Sequence, residues 1–106
     1  MVKQLGIKIK QLRQQKGFTL EQLAGLIGSG KSYIWEIENK GVKRPSAEKL
    51  AAIARALDVT TDFLIDDKQK KITDDEQKEI FFRKLQQLNK KDRDKIMDII
   101  DAWSQT

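Results

Sequence analysis

The chain contains no cysteine and no histidine, and it has a single proline among its 106 residues. Without cysteine, no disulfide, zinc–thiolate site or thiol nucleophile can form. Without histidine, there is no imidazole base and no HExxH metal site. Only carboxylate, hydroxyl or lysine chemistry remains, so we predict that the protein is not an enzyme and that it uses no metal and no cofactor.

Long apolar runs are also missing. No stretch approaches the roughly 20 residues that a bilayer-spanning helix needs, and residues 1–4 (MVKQ) do not begin a secretory signal. We therefore expect a cytoplasmic protein that makes no membrane contact. Hydrophobic residues make up 39% of the chain and charged residues 35%, a balance that suits amphipathic helices around a modest core.

The first 66 residues show apolar residues at helical spacing in five short segments. Leu5, Ile9 and Leu12 recur at i, i+4 and i+7, and Gly17 then marks a stop. Later segments follow residues that commonly cap helices, namely Thr19, Ser46, and Thr60 or Thr61. No alternating strand pattern appears, so the sequence predicts an all-α domain of five short helices at residues 1–66.

The remainder divides into a charged segment and two further helices. Residues 67–72 (DKQKKI) contain little that could be buried and are predicted to be a linker. Thr73 followed by Glu76 is the pattern of a capping box, and Asn89 is placed to cap a last helix. Residues 73–106 are therefore predicted to form a C-terminal helical hairpin.

The two parts differ in charge. Residues 1–66 hold 11 basic and 7 acidic side chains, a net charge of +4, whereas residues 67–106 hold 10 and 9, a net charge of +1. Because a positive excess favours polyanionic partners, the charge places a nucleic-acid function in the first part.

Two of the predicted helices have the spacing of a helix-turn-helix. They run over about residues 19–27 and 30–38, with Gly28 at the turn. Ile34 and Ile37 would hold the second helix against the core. The side chains predicted on its outer side are Lys31, Ser32, Trp35 and Glu36. Exposed donors and acceptors at a helix N-terminus are what reading of the DNA major groove requires.

The stretch from Leu5 to Leu64 resembles the Cro/lambda-repressor-like (XRE) helix-turn-helix family. The matching segments are LGIKIKQLRQQKGFTLEQLAGLIG, KSYIWEIEN, KRPSAEKLAAIARAL and DVTTDFLID. The resemblance implies a five-helix DNA-binding domain whose third helix enters the major groove. Carried over by position, Lys31, Ser32 and Glu36 would face base edges, and Arg13 and Glu38 would form an interior ion pair. The residues implied to serve phosphates are Ser29, Tyr33, Lys40, Lys43 and Arg44.

Two of the candidate base-contacting residues have alternative interpretations. Glu36 accepts a hydrogen bond from cytosine N4, pairs with Lys40 four residues on, or is simply a surface charge. Trp35 packs on the sugar-phosphate or a thymine methyl group, or it leans on a neighbouring helix. Residues 25–32 (GLIGSGKS) also satisfy the P-loop pattern GxxxxGK[ST], but that motif needs a preceding buried strand. Nucleotide binding is therefore the least favoured function.

The C-terminal hairpin has two possible uses. Its apolar side chains, such as Ile99 and Trp103, could pack against a second copy of the chain or against the first domain, or they could bind another protein. Since two reading helices one turn of DNA apart match a palindromic operator, we favour a homodimer. The sequence thus predicts a transcriptional regulator that represses by binding DNA as a dimer. The alternative is a protein-interaction module with an antitoxin-like role.

Overall fold

The computed structural model describes the backbone of residues 2–41 and 44–104, and the side chains of residues 4–41 and 44–104. Helix is the only regular secondary structure within these ranges, which confirms the all-α prediction. The helices are α1 (Val2–Gln15), α2 (Leu20–Leu26), α3 (Lys31–Asn39), α4 (Ala47–Ala56), α5 (Thr61–Ile65), α6 (Asp74–Gln86) and α7 (Lys90–Ser104).

Side-chain caps mark the start of five of these helices: four are hydroxyl caps, and the fifth is Asn89 before α7. The side-chain oxygens of Thr19, Ser46, Thr60 and Thr73 each accept a hydrogen bond from a backbone N–H in the first turn that follows. Capping satisfies a donor that has no partner inside the helix, and losing such a cap costs about 1 kcal/mol. The caps predicted at these positions are therefore confirmed.

The chain divides into two units, and the first ends at Ile72. Its core is formed by one cluster of apolar side chains from α1 to α5 and the turns between them. The largest fully buried members are Ile9, Leu23, Ile34, Ile53, Leu57 and Leu64. Burying side chains of this size contributes roughly 1.5–3 kcal/mol each. This core fixes the orientation of α3.

Gly6 lets α1 approach α3 closely. A Cβ atom at this position would collide with the backbone carbonyl oxygen of Ile37 and would lie 3.1 Å from Glu38 Cα. Backbone atoms cannot swing aside as a flexible side chain can, so only glycine permits this contact. The end of α3 is thereby seated directly on the first turns of α1.

The segment predicted as a linker packs with the first unit instead. Lys8 Nζ on α1 donates hydrogen bonds to the carbonyl oxygens of Phe63 (2.5 Å), Asp66 (2.8 Å) and Gln69 (2.9 Å). Ile72 packs against the core. Carbonyl groups at the end of a helix need donors outside that helix, and Lys8 supplies one to Phe63 and one to the C-cap residue Asp66. These contacts join residues more than 50 positions apart. The composition of residues 67–72 describes only that segment, so it cannot predict them.

The second unit begins at Thr73 and contains α6 and α7. Thr73 and Glu76 form the reciprocal capping box that starts α6, and Asn89 Oδ1 accepts from the Asp92 N–H at the start of α7. Ile80 is buried on α6, whereas α7 has no buried residue. None of the described helices is long and apolar enough to cross a membrane.

Candidate nucleic-acid interface

Helix α3 has one face in the core and one face in solvent. Ile34 is fully buried and Ile37 is 5% exposed, so these two side chains anchor the inner face. The exposed positions on the outer face are Lys31, Ser32, Trp35 and Glu36. The structure therefore brings the four predicted base-contacting residues to one accessible edge, at the N-terminal and central turns of α3.

The turn between α2 and α3 is a Schellman motif, the common way to end a helix on glycine. The Ser29 N–H donates to the Ala24 carbonyl at 2.8 Å, and the Gly28 N–H donates to the Gly25 carbonyl at 3.3 Å. Gly28 has φ +68°, a left-handed conformation that costs glycine nothing. This turn sets the crossing of the two helices and directs the N-terminus of α3 outward.

The geometry of this turn also bears on the P-loop pattern in residues 25–32. Gly25 lies within α2, and Lys31 is the first residue of α3, so the pattern spans a helix–turn–helix. A P-loop instead follows a strand of a parallel sheet, and the described residues contain no strand. The segment serves as a connection between helices.

The outer face of α3 carries charge and one large aromatic ring. Lys31 Nζ lies 3.9 Å from Glu21 Oε1, in a pair whose side chains are both more than half exposed. Such a pair contributes little to stability, so Lys31 can exchange Glu21 for another partner at low cost. Trp35 is 44% exposed, and Lys40 Nζ lies 5.8 Å from the centroid of its ring. Trp35 is therefore an accessible surface beside a cation.

The predicted phosphate-contacting residues fall into two groups. Lys40 and Arg44 are exposed after the end of α3, whereas Ser29 and Tyr33 are half-buried near its start. Burial raises the pKa of the Tyr33 phenol above its ordinary value, which keeps this side chain a neutral hydrogen-bond donor. Lys43 lies outside the described residues.

Gly30 precedes α3 and offers its first turn no side-chain cap. By contrast, a hydroxyl group accepts a hydrogen bond from a first-turn N–H at the starts of α2, α4 and α5. Helix N-termini combine outward N–H groups with a partial positive charge, which suits an anionic oxygen. The start of α3 thus favours an external acceptor next to the exposed Lys31 and Ser32.

Lys49 was not among the residues that the sequence pointed to. It lies on α4, yet its Nζ donates to Ser29 Oγ at 2.7 Å and to the Ile27 carbonyl at 3.1 Å. The same atom is 6.0 Å from the centroid of the Tyr33 ring. Helical periodicity describes which face of α4 is buried, but it carries no information on contacts 20 residues away.

An ion pair joins α1 to α3 beneath this surface. Arg13 Nε donates to Glu38 Oε2 at 2.7 Å, and Arg13 Nη2 donates to Glu38 Oε1 at 3.0 Å. Arg13 Nη1 also donates to the Phe18 carbonyl at 2.8 Å. The bond to Glu38 raises the pKa of the Arg13 guanidinium above its usual value. The structure therefore places these two residues in the pairing that the resemblance implied, with Glu38 almost fully buried.

Comparison with known families identifies the first unit. A helix-turn-helix family model matches residues 9–64, more than half of the chain. The chain belongs to the Cro/lambda-repressor-like helix-turn-helix family. The resemblance drawn from the segments between Leu5 and Leu64 is thus confirmed.

Two curated members of this helix-turn-helix family are similar to the chain. The HTH-type transcriptional regulator SinR of Bacillus subtilis (strain 168) is 39% identical over 64 residues, which are 60% of this chain and 58% of SinR. The uncharacterized HTH-type transcriptional regulator YobD of the same organism is 38% identical over 58 residues, 55% of this chain and 51% of YobD. The chain therefore spans less than two thirds of either relative.

Two solved structures of family members extend the comparison. A crystal structure of SinR, a master regulator for biofilm formation, in complex with DNA has a TM-score of 0.56 at 39% identity, and covers 58% of this chain and 98% of that chain. A chain from a complex of the SinR and SinI proteins has a TM-score of 0.58 at 28% identity. This match covers 100% of the present chain and 100% of the matched chain. The likeness to the DNA complex falls on the part of this chain that carries the helix-turn-helix.

Proposed function

We propose that this family member is a sequence-specific DNA-binding transcriptional regulator, and that it acts as a repressor. One observation carries the proposal. Helix α3 is anchored by Ile34 and Ile37, while Lys31, Ser32 and Glu36 on its other face are accessible. Similarity to SinR, which has been solved in complex with DNA, supports the same conclusion. We also propose a cytoplasmic location, because the SinR and YobD relatives are transcriptional regulators of a bacterium.

Within this proposal the exposed residues have separate roles. Lys31, Ser32, Glu36 and Trp35 would contact bases, with Lys31 suited to guanine O6 and N7 and Glu36 suited to cytosine N4. Ser29, Tyr33, Lys40, Lys43 and Arg44 would contact phosphates, which fix the register of the protein on DNA. The two sets differ in what they control, since only base contacts carry sequence information.

Selection of bound duplexes from a random pool with the full chain tests this proposal. We expect enrichment of one palindromic motif, with half-sites about one helical turn (10–10.5 base pairs) apart. Binding to that motif should weaken steeply with salt because neutralised phosphates release counterions. A pool that stays random after selection, at low as well as moderate salt, would argue against DNA recognition.

We propose that the second unit joins two copies of the chain. Helix α7 has no buried residue, and even its isoleucines are accessible: Ile99 is 58% exposed and Ile100 is 40% exposed. Phe81 on α6 is 54% exposed. Two helices that leave such side chains in water gain little from folding alone, so they need a partner surface. A two-fold dimer would also set two copies of α3 against a palindromic operator.

Sedimentation equilibrium of the full chain tests the dimer. We expect a dimer for the wild type and a monomer for Ile99→Lys, because a charge would enter the apolar contact. Asp98→Lys is the matched control on the same helix, since Asp98 is already polar and exposed. A wild type that sediments as a monomer at micromolar concentration, or an Ile99→Lys variant that stays dimeric, would contradict this assignment.

A second candidate function is supported by the solved SinR–SinI complex, which this chain matches over its whole length. In this alternative the apolar face of the second unit captures another protein, in an antitoxin-like role, and the helix-turn-helix is a scaffold. A gel-shift against random duplexes at low and high salt separates the two candidates. Failure to shift DNA under both conditions would favour the interaction module.

We further propose that the protein is not an enzyme. The curated relatives are transcriptional regulators, and the P-loop pattern lies in a turn between helices. Thermal unfolding with and without ATP or GTP tests the remaining enzymatic possibility. We expect no change in the unfolding midpoint with either nucleotide, whereas a specific binder would raise it.

A further inference from the structure

Lys49 connects α4 to the turn that precedes α3. Its backbone N–H donates to Ser46 Oγ at 3.2 Å, which fixes the residue in the first turn of α4. Its Nζ then donates to Ser29 Oγ at 2.7 Å and to the Ile27 carbonyl at 3.1 Å. The ammonium group therefore bridges two elements, and one of its acceptors is a residue that we assign to a DNA phosphate.

The bond to Ser29 determines what the serine hydroxyl can do. A lysine ammonium group has donors only, whereas a hydroxyl group has one donor and two acceptor lone pairs. Because Lys49 donates, Ser29 Oγ is the acceptor in this bond, and the hydroxyl hydrogen must point elsewhere. A neighbouring positive charge also polarises the hydroxyl and strengthens it as a donor. An anionic oxygen is the acceptor that this arrangement favours.

The hydrogen bond from Lys49 Nζ to the Ile27 carbonyl stabilises the same turn between α2 and α3. Ile27 is the C-cap residue of α2, and carbonyl groups at a helix C-terminus carry the negative end of the helix dipole. A cation placed there is favourable, so Lys49 is held in position without DNA. The hydroxyl of Ser29 is consequently oriented before any duplex arrives, which lowers the entropy lost on binding.

We propose that Lys49 is a positioning residue for DNA binding: it orients the Ser29 hydroxyl toward a backbone phosphate and makes no phosphate contact itself. This inference rests on the proposed function, because it assigns a role within the same interface. It adds a residue from α4 to a surface otherwise built from the end of α2, α3 and the loop after it.

Binding of the full chain to a labelled duplex that carries the selected motif tests the inference. The variants are Lys49→Met, Ser29→Ala and the two combined, and Lys10→Met on α1 is a control that removes an exposed charge. Affinity is measured by fluorescence anisotropy well below each unfolding midpoint, so that a purely structural role would leave it unchanged.

We expect each single variant to bind about tenfold more weakly, the loss that follows removal of one charge-assisted hydrogen bond. The combined variant should bind no more weakly than either single variant, because both changes remove one shared interaction. The slope of log affinity against log salt should be the same for Lys49→Met as for Lys10→Met. If Lys49→Met does not fold, Lys49→Ala takes its place in the same comparison, since alanine also removes the donor and has the highest helix propensity.

Three results would overturn the inference. Additive losses in the combined variant would mean that the two residues act separately. A salt slope reduced by about 0.9 in Lys49→Met would mean that Lys49 itself neutralises a phosphate. Unchanged affinity in folded Lys49→Met or in Ser29→Ala would leave Lys49 with a structural role only. If the wild-type chain binds no duplex at all, the proposed function itself has failed, an outcome distinct from these three.

Discussion

Arg13 and Glu38 form an ion pair with two hydrogen bonds between α1 and α3, at 2.7 and 3.0 Å, and the Glu38 side chain is 1% exposed. The cost of removing the Glu38 charge from water is offset by the opposite charge of Arg13 and by the hydrogen bonds between them. The pair therefore holds the end of α3 in place, close to where Gly6 permits backbone contact with α1. The position of the exposed face of α3 therefore depends on this interior contact.

Replacing one member of this pair should destabilise the protein strongly. Glu38→Gln would leave the Arg13 guanidinium without its counter-ion, at a cost of about 3 kcal/mol in the free energy of unfolding. Urea denaturation followed by circular dichroism measures the loss. Asp94→Asn is the matched control, because Asp94 pairs with Lys90 on the exposed surface of α7, where the expected loss is at most about 0.5 kcal/mol. Equal losses in the two variants would contradict the structural role of the buried pair.

Two glycines within helices should respond in opposite ways to alanine. Gly6→Ala would press a methyl group onto the Ile37 carbonyl, so we expect a loss of about 2 kcal/mol or more through overpacking. Gly25→Ala would meet no atom within 4 Å, and alanine in α2 should stabilise the helix by up to about 1 kcal/mol. Thermal unfolding of both variants checks the difference in sign. A stabilising Gly6→Ala would disprove the close approach of α1 and α3.

Loss of a phosphate contact should act equally on all DNA sequences. Lys43→Ala, and separately Arg44→Ala, should weaken binding to specific and random duplexes alike, and each should reduce the salt slope by about 1. Anisotropy titrations across a salt series provide both quantities. If Lys43→Ala left the affinity and the slope at wild-type values, Lys43 would contact no phosphate.

Changes on the outer face of α3 should instead alter which sequence is preferred. Ser32→Ala and Glu36→Gln should each change the selected motif at one position, with a discrimination loss of about 1–3 kcal/mol against the wrong base. Repeating the random-pool selection with each variant reveals the motif. Motifs identical to the wild-type one would mean that these side chains do not contact bases.

The only tyrosine of the chain, Tyr33, provides a test of burial near the turn. Burial raises its pKa in the folded state, so the unfolded chain loses the phenol proton first, near pH 10. The corresponding stability is present below that pH and is lost as pH rises through the folded pKa. Tyrosinate absorbance should therefore titrate at higher pH in the native protein than in denaturant. Coincident titrations would place Tyr33 in solvent.

Local patterns gave most of the fold. The caps at Thr19, Ser46 and Thr73 follow from hydrogen bonds between residues three apart, and the apolar spacing around Ile34 and Ile37 places the inner face of α3. These features depend on residues that are close together in the chain, so they can be predicted from the sequence alone.

Contacts between distant residues lay beyond the sequence patterns. Lys8 donates to the Gln69 carbonyl across 61 positions, a contact that composition cannot show. Composition therefore predicts a linker at residues 67–72, whereas in the structure they pack with the first unit. Lys49 reaches Ser29 across 20 positions, and neither residue type nor spacing marks that contact. Arg13 and Glu38 are 25 positions apart, and only the family resemblance implies their pairing.

The division of α3 into an anchored face and an accessible face has an evolutionary consequence. Ile34 and Ile37 maintain the fold whatever residues occupy positions 31, 32 and 36. Under the proposed function, mutations at those outer positions are expected to change the genes under control while leaving folding intact. Descendants of this chain could acquire new regulons by single substitutions, without passing through an unstable ancestor.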